Sequence, residues 1–232
     1  MENKIIVVSV GGSLIVPSEI DISFLKKFRK LVLRYVKKGM RFIIICGGGK
    51  TARQYQEAAK KIKSTNRLEL TNQDIDWLGI WATKINAYLV KTIFKKEAHE
   101  KIIENPTEKV KFKEKILVAS GWKPGFSTDY DAVLLAKNFN AKRIINLTNV
   151  DYVYNKDPSK FKDAKPIKEI CWKEFRKMLP KKWIPGMNVP FDPVAAKEAE
   201  KLKLEVAIIN GRKLKNFEEC IKKKPFTGTV IK

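Results

Sequence analysis

Ile43-Ile44-Ile45-Cys46-Gly47-Gly48-Gly49-Lys50-Thr51-Ala52-Arg53 is the stretch on which the fold turns. Four apolar residues fit a short buried strand, three glycines strip the following turn of side chains, and a basic amphipathic helix begins after them. Adjacent glycines let main-chain N–H groups approach a ligand that a Cβ would hold off. A helix start adds unpaired donors and the positive end of a dipole. That combination suits a phosphate group, although a tight strand-to-helix turn that binds nothing fits the same residues. It is not the common P-loop, because Gly-x-x-x-x-Gly-Lys-Ser/Thr needs glycine at position 44 and the residue there is Ile44.

Working outward, Lys4 to Val10 reads as a strand apolar enough to be covered on both faces. Gly11-Gly12-Ser13 ends it. Leu25, Phe28, Leu31, Val32, Tyr35 and Val36 recur at helical spacing, with Gly39 as the stop. After the glycine run the helix carries Tyr55, Ala58, Ala59 and Ile62. Thr71 or Asn72 caps a long helix with Ile75, Leu78, Gly79, Ala82, Ile85, Leu89 and Ile93 on one side. Residues 95–114 read as a loop-rich connection holding His99, the single histidine, as a surface residue. Ile116–Ala119 and Arg143–Leu147 are the third and fourth strands, and 130–139 is helical between them. A lysine-rich excursion through Lys165 precedes a short helix from Trp172 to Leu179. Residues 180–190, with three prolines and Gly186, form a loop long enough to cover a site. Asp192-Pro193 starts a helix through Leu202, Glu205–Ile209 is the last buried strand, and an edge strand near Thr229–Ile231 follows the terminal helix. The alternation predicts an α/β fold: a three-layer αβα sandwich around a mostly parallel sheet. With no repeat and no flexible linker, residues 1–232 read as one domain.

Composition narrows the function classes. A chain of 232 residues with 44% hydrophobic content supports one large core. Its apolar runs are too short to span a bilayer, and a strand-like run directly after Met1-Glu2-Asn3-Lys4 argues against a secretion signal. Cys46, Cys171 and Cys220 lack metal spacing, so no protein-held metal is expected, and a reducing cytoplasm is the expected home. Lys and Arg number 48 against 25 Asp and Glu, a formal charge of +23. Such a field attracts anions in general. The lysines are dispersed rather than gathered in a tail, so nucleic acid is expected only as a non-specific electrostatic partner.

Parallel sheets bind ligands at the carboxyl ends of their strands. Here those ends carry Gly11-Gly12-Ser13, Gly47 to Lys50, Gly121 to Thr128 and Thr148 to Asp151. Four small, glycine-rich loops exceed what packing requires. Two cradles suit two phosphate-bearing ligands meeting end to end, as in phosphoryl transfer.

These stretches, together with Asp76-Trp77-Leu78-Gly79-Ile80-Trp81-Ala82-Thr83-Lys84-Ile85-Asn86-Ala87, Thr148-Asn149-Val150-Asp151-Tyr152-Val153-Tyr154-Asn155-Lys156-Asp157-Pro158 and Phe191-Asp192-Pro193-Val194-Ala195-Ala196-Lys197, resemble the amino-acid kinase family, in its archaeal uridylate-kinase branch. They fall in order over nearly the whole chain. The resemblance implies that ATP, carrying Mg2+ on its phosphates, phosphorylates UMP to UDP. It implies an acceptor-side half of about residues 1–140, an ATP-side half of about 141–232, and a homohexamer. On the UMP side it assigns Gly48, Asp76 for the ribose hydroxyls, and the segment Trp122, Lys123, Pro124, Gly125, Phe126, Ser127 and Thr128. On the ATP side it assigns Gly12, Ser13, Gly49, Arg53, Thr148, Tyr154 and Asp157.

Each of these has a plainer reading: Arg53 as a surface arginine, Asp76 as a first-turn acid facing the helix dipole, Asp192 as an N-cap, residues 122–128 as a turn. The chain also departs from the family. Many members project a lysine from strand one where this chain has Ser9. Lys50, helped by Lys123, is the expected replacement cation, unless it is a solvated first-turn lysine. Tyr152 replaces a usual glycine and would crowd the adenine side or stack on the base. Asp131 adds a carboxylate near Asp129; one of the pair would help orient a lysine or magnesium, unless they only cap the helix that begins there. Competing readings are a kinase of the same fold acting on a carbamate, isoprenoid phosphate or phosphonate, and a non-catalytic module binding anions or nucleic acid.

Overall fold

β1 (Ile5–Val10) and β2 (Arg41–Cys46) pair in parallel through six matched positions, Ile5 with Arg41 to Val10 with Cys46. In this computed structural model, which describes residues 5–66, 69–180 and 189–232, they lie near the middle of one sheet. β3 (Ile116–Ala119) flanks β2, and β4 (Arg143–Thr148) flanks β1. A two-stranded hairpin, β5 (Val153–Tyr154) with β6 (Pro166–Ile167), forms the base of the lysine-rich excursion. β7 (Glu169–Ile170), β8 (Glu205–Asn210) and β9 (Thr229–Ile231) complete the large sheet in the order β3-β2-β1-β4-β8-β9-β7. β9 runs antiparallel to β8 and parallel to β7. The C-terminal strand expected at the edge is therefore interior, because the two-residue β7 closes the sheet outside it.

Alternation within each strand builds a core on both faces. Phe42, Ile44 and Cys46 point one way, with Ile6, Val8 and Val10, into a layer made by α2 (Ile22–Lys37), α4 (Asn72–Ile93) and α8 (Leu214–Ile221). Ile43 and Ile45 point the other way, with Val7, toward α5 (Thr128–Asn138), α6 (Trp172–Met178) and α7 (Pro193–Lys201). That gives three layers. Two further helices, α1 (Gly12–Ile15) and α3 (Gly49–Asn66), rise directly from the loops after β1 and β2.

The helix boundaries follow local chemistry. Asp21 caps α2 by accepting from the Phe24 amide at 2.8 Å, and Gly39, at φ +85°, lets the chain leave the helix. Thr71 and Asp74 make a reciprocal capping box at α4. Asp192 caps α7, accepting from the amides of Val194 and Ala195 with Pro193 in the first turn. Residues 95–114 contain no helix or strand and touch the sheet through two isolated bridges, where Ala98 meets Ile116 and Ile103 meets Ala119. The expected covering loop at 180–190 lies mostly outside the described residues.

The apolar stripes read on α3 and α4 do not both reach the core. α4 buries Ile75, Asp76, Ile80, Ala82, Thr83, Asn86, Ala87 and Val90. Ile85, expected on that side, is 64% exposed, and Tyr55, Ile62, Trp77, Trp81 and Tyr88 also face outward. Among the described residues, no helix is long and apolar enough to cross a membrane.

Candidate functional site

The loops after β1 and β2 interlock through their main chains. Gly47 donates to the Val10 carbonyl at 2.9 Å, and Gly11 donates to the Leu147 carbonyl at 2.8 Å. A Cβ on Gly12 would fall 2.0 Å from the Gly49 nitrogen, and one on Gly49 would fall 2.3 Å from the Gly12 oxygen. Gly49 also sits at φ +66°. Packing alone therefore demands Gly12 and Gly49, which corrects the expectation that these glycines exceed its needs. The same packing leaves the Gly48 and Gly49 amides without a protein acceptor among the described residues, while the Lys50 amide is taken by the Val16 carbonyl at 2.9 Å. Two N–H groups so placed at the start of an 18-residue helix have the geometry that suits an anion.

Asn86 holds that turn in place. Its buried side chain donates to the carbonyls of Gly47 (2.8 Å) and Gly48 (3.2 Å). With both carbonyls engaged from below, the amides of the turn face the other way.

Opposite Gly48, across a cleft of about 280 Å³, stand Phe126, Ser127 and Thr128. Asp76, Gly79, Ile80 and Thr83 of α4, with Asp129 and Asp192, line the rest. Asp76 is only 9% exposed, and its Oδ2 accepts from the Gly125 amide at 2.8 Å. Burial raises its carboxyl above the usual range, and the Gly125 amide partly offsets this. Capping of α4 belongs to Thr71 and Asp74, so the plainer reading of Asp76 does not account for its position. Ser127 caps α5 by accepting from the Tyr130 amide at 3.1 Å, which leaves its hydroxyl proton to donate. Helix capping thus fails to explain Asp131.

Trp122, Lys123, Pro124 and Gly125 belong to the same loop but stand outside the cleft wall. The Lys123 ammonium lies 4.1 Å over the Trp122 ring and 5.0 Å from that of Phe126, within an aromatic row continued by Tyr130. Lys50 is half-buried and its ammonium has no partner among the described residues. Arg53 is exposed on α3.

The expected ATP-side residues divide into two groups. Gly12, Ser13, Gly49 and Thr148 gather at one sheet end, where Arg212 donates to the Ser13 carbonyl at 3.4 Å and Gly211 donates to that of Thr148 at 2.8 Å. Tyr154 and Asp157 lie farther along, on β5 and the loop after it. Tyr154 meets Tyr152 edge to face at 6.4 Å. Asp157 closes a turn by accepting from the amide and hydroxyl of Ser159, which hold its carboxyl below the usual range.

Three carboxylates meet at the far wall. Asp129 accepts from Asn146 Nδ2 (3.3 Å) and from the Asp192 amide (3.1 Å). Residue 129 as a whole is half-buried, yet its carboxyl group is enclosed, and burial with the nearby Asp192 charge pushes it up to about 7. Asp131 is fully buried and pushed up to about 8, first by burial, with the charges of Asp129 and Asp192 adding and the Trp122 amide opposing. Among the described residues no three His, Cys, Asp or Glu groups are arranged to hold a metal ion.

The contacts of Asn86 and Thr83 escape a reading of the sequence, although a signal exists. Asp76, Thr83 and Asn86 are spaced by seven and three residues, so one buried helix face carries three polar side chains. Buried polar groups need partners, and here the partners are the two ligand loops.

The sequence profile of the Amino acid kinase family matches residues 4–210. The uridylate kinase of Methanocorpusculum labreanum is 33% identical over 229 residues, covering 97% of this chain and 94% of that protein. The uridylate kinase of Sulfurisphaera tokodaii is 34% identical over 88% of each chain. The crystal structure of uridylate kinase from Archaeoglobus fulgidus superposes with a TM-score of 0.82 at 29% identity, over 98% of this chain and 99% of that one.

Proposed function

The chain belongs to the amino acid kinase family, and from that premise we propose that it transfers the terminal phosphate of ATP to UMP, giving ADP and UDP. The observation that carries this reading is the single cleft shared by Gly48, Asp76 and Phe126 to Thr128, bordered by an anion-binding turn.

A phosphate oxygen of UMP attacks the γ-phosphorus of ATP as the bond to the bridging oxygen breaks, and the electron pair leaves on ADP. Little covalent chemistry is asked of the protein; it supplies position and positive potential. On the acceptor side, about residues 1–140, the ribose hydroxyls of UMP donate to Asp76, whose Oδ1 stays available while Oδ2 holds the Gly125 amide. Gly48, Ser127 and Thr128 donate to the UMP phosphate, and Phe126 lies along the nucleoside with residues 122–125 behind it in the same loop. On the donor side, Gly12, Ser13, Gly49 and Arg53 take the ATP phosphates, with Thr148, Tyr154 and Asp157 around the adenosine. Lys50 supplies the cation for the charge that develops on the transferred group.

A magnesium ion would be carried to this cleft on the phosphates of ATP. Bound there, the ion neutralises phosphate charge. The outward apolar face of α3 and α4 fits a second copy of the chain, in line with a homo-oligomer. Three free cysteines fit a reducing cytoplasm.

A coupled assay for ADP release with UMP, CMP, dUMP and no acceptor tests the assignment. UMP gives the highest kcat/KM and dUMP loses at least about tenfold if Asp76 reads the ribose. Equal ADP release with and without acceptor would overturn it.

A further inference from the structure

Asp131 is a buried acid that the phosphoryl transfer described above does not use. Its exposure is 0% and its Oδ1 has no hydrogen-bond partner among the described residues. Among the described residues, the charged groups acting on it are Asp129 on its own helix and Asp192 at the start of α7, both negative, with neither lysine nor arginine beside them. Burying an uncompensated carboxylate beside two others costs stability. Helix capping does not offset that cost, because Ser127 caps α5. Among the described residues, the one hydrogen bond the carboxylate makes is at Oδ2, which accepts from the Trp122 amide at 3.1 Å.

That contact falls at one end of the loop from β3 to α5. Thr83 Oγ1 accepts from the Gly121 amide at 2.8 Å, and Asp76 accepts from the Gly125 amide. Three side chains from two helices thus hold three amides of a single loop. The Trp122 ring, set by its main chain, packs 5.2 Å from Phe126, which lines the cleft.

We propose that Asp131 is a positioning residue for the acceptor: it fixes the Trp122 main chain so that Phe126, Ser127 and Thr128 face the nucleoside monophosphate. It does not touch substrate. The proposal rests on the reading of this cleft as the UMP side.

The test compares Asp131→Leu, which fills the volume without an acceptor atom, Asp131→Ala, and Asp131→Asn, whose carbonyl oxygen still accepts from Trp122. KM for UMP, KM for ATP, kcat and Tm are measured for each. Leu and Ala raise the UMP KM by about tenfold or more while the ATP KM stays within about twofold. Tm is unchanged or higher, because a buried polar group with an unsatisfied oxygen has gone. Asn returns the UMP KM close to that of the parent. A Leu variant with parental UMP KM, or with both KM values raised together, overturns the proposal. So does a fall in Tm with KM unmoved, or failure of both Leu and Ala variants to fold. Absence of UMP turnover in the parent enzyme is a different result: it removes the acceptor assignment itself.

Discussion

Lys50 occupies the first turn of α3 beside two amides that donate to no protein group among the described residues. A lysine there opposes the helix dipole, a small cost that a phosphate at the same spot would reverse. Lys50→Met lowers kcat by about 100-fold or more if its charge meets the transferring group; single-turnover kinetics at saturating ATP and UMP measure this, and a variant within about threefold of the parent removes Lys50 from the chemistry. The acids at the far wall govern stability instead. Asp129 and Asp131 have folded-state values of about 7 and about 8, above the ordinary carboxylate value. From the ordinary carboxylate value up to these raised ones the folded protein binds more protons than the unfolded chain, so their contribution is fully present below the ordinary value and is lost progressively as pH rises to 7 and 8. Tm therefore falls between pH 5 and pH 9, and Asp131→Asn flattens the fall; scanning calorimetry across that range checks both. At this scale the turn made by the glycines was legible because its geometry is local, and the place of Asp76 on the cleft because its motif is distinctive. Asp131 was not, since what distinguishes it is a contact with residue 122 across a loop whose path the sequence does not reveal.

Asn86 links an element to a turn thirty-nine residues away. Asn86→Ala removes both donors to the glycine carbonyls, and kcat/KM falls by about 10- to 100-fold through misplaced amides. Steady-state kinetics test this, with circular dichroism showing the helices intact. α2 has the opposite character. Phe28 is fully buried, stacked between Phe24 and Phe217 at 5.6 and 6.0 Å and meeting Phe94 edge-on at 6.2 Å. Phe28→Ala costs about 3–5 kcal/mol in urea unfolding while the surviving folded enzyme keeps its kcat. Capped and punctuated helices such as α2 and α7 were readable to within a residue or two. The interior place of β9 was not, because a three-residue strand carries no mark of which neighbours it will have. α3 and α4 mislead in another way: an apolar stripe predicts burial, and periodicity does not say whether this chain or another surface covers it.

Across the molecule, the outward aromatic face of α3 and α4 stands out on a chain of net charge +23. Trp81 is 61% exposed and Tyr88 57%, with the Lys84 ammonium 4.2 Å over the Trp81 ring and paired to Glu104 at 2.7 Å. A patch this apolar on a repelling body favours association once salt screens the charge. Light scattering after size exclusion is expected to show an oligomer that grows between about 0.05 and 0.5 M salt, and Trp81→Glu is expected to abolish it. An unchanged mass in the variant places the contact elsewhere.

The interlock of Gly12 with Gly49 also bears on how this scaffold could be re-engineered. Neither position tolerates so much as a methyl group, and each forbids it because of the other. Libraries aimed at a new acceptor should leave that knot untouched and diversify residues 126–128, whose side chains line the cleft.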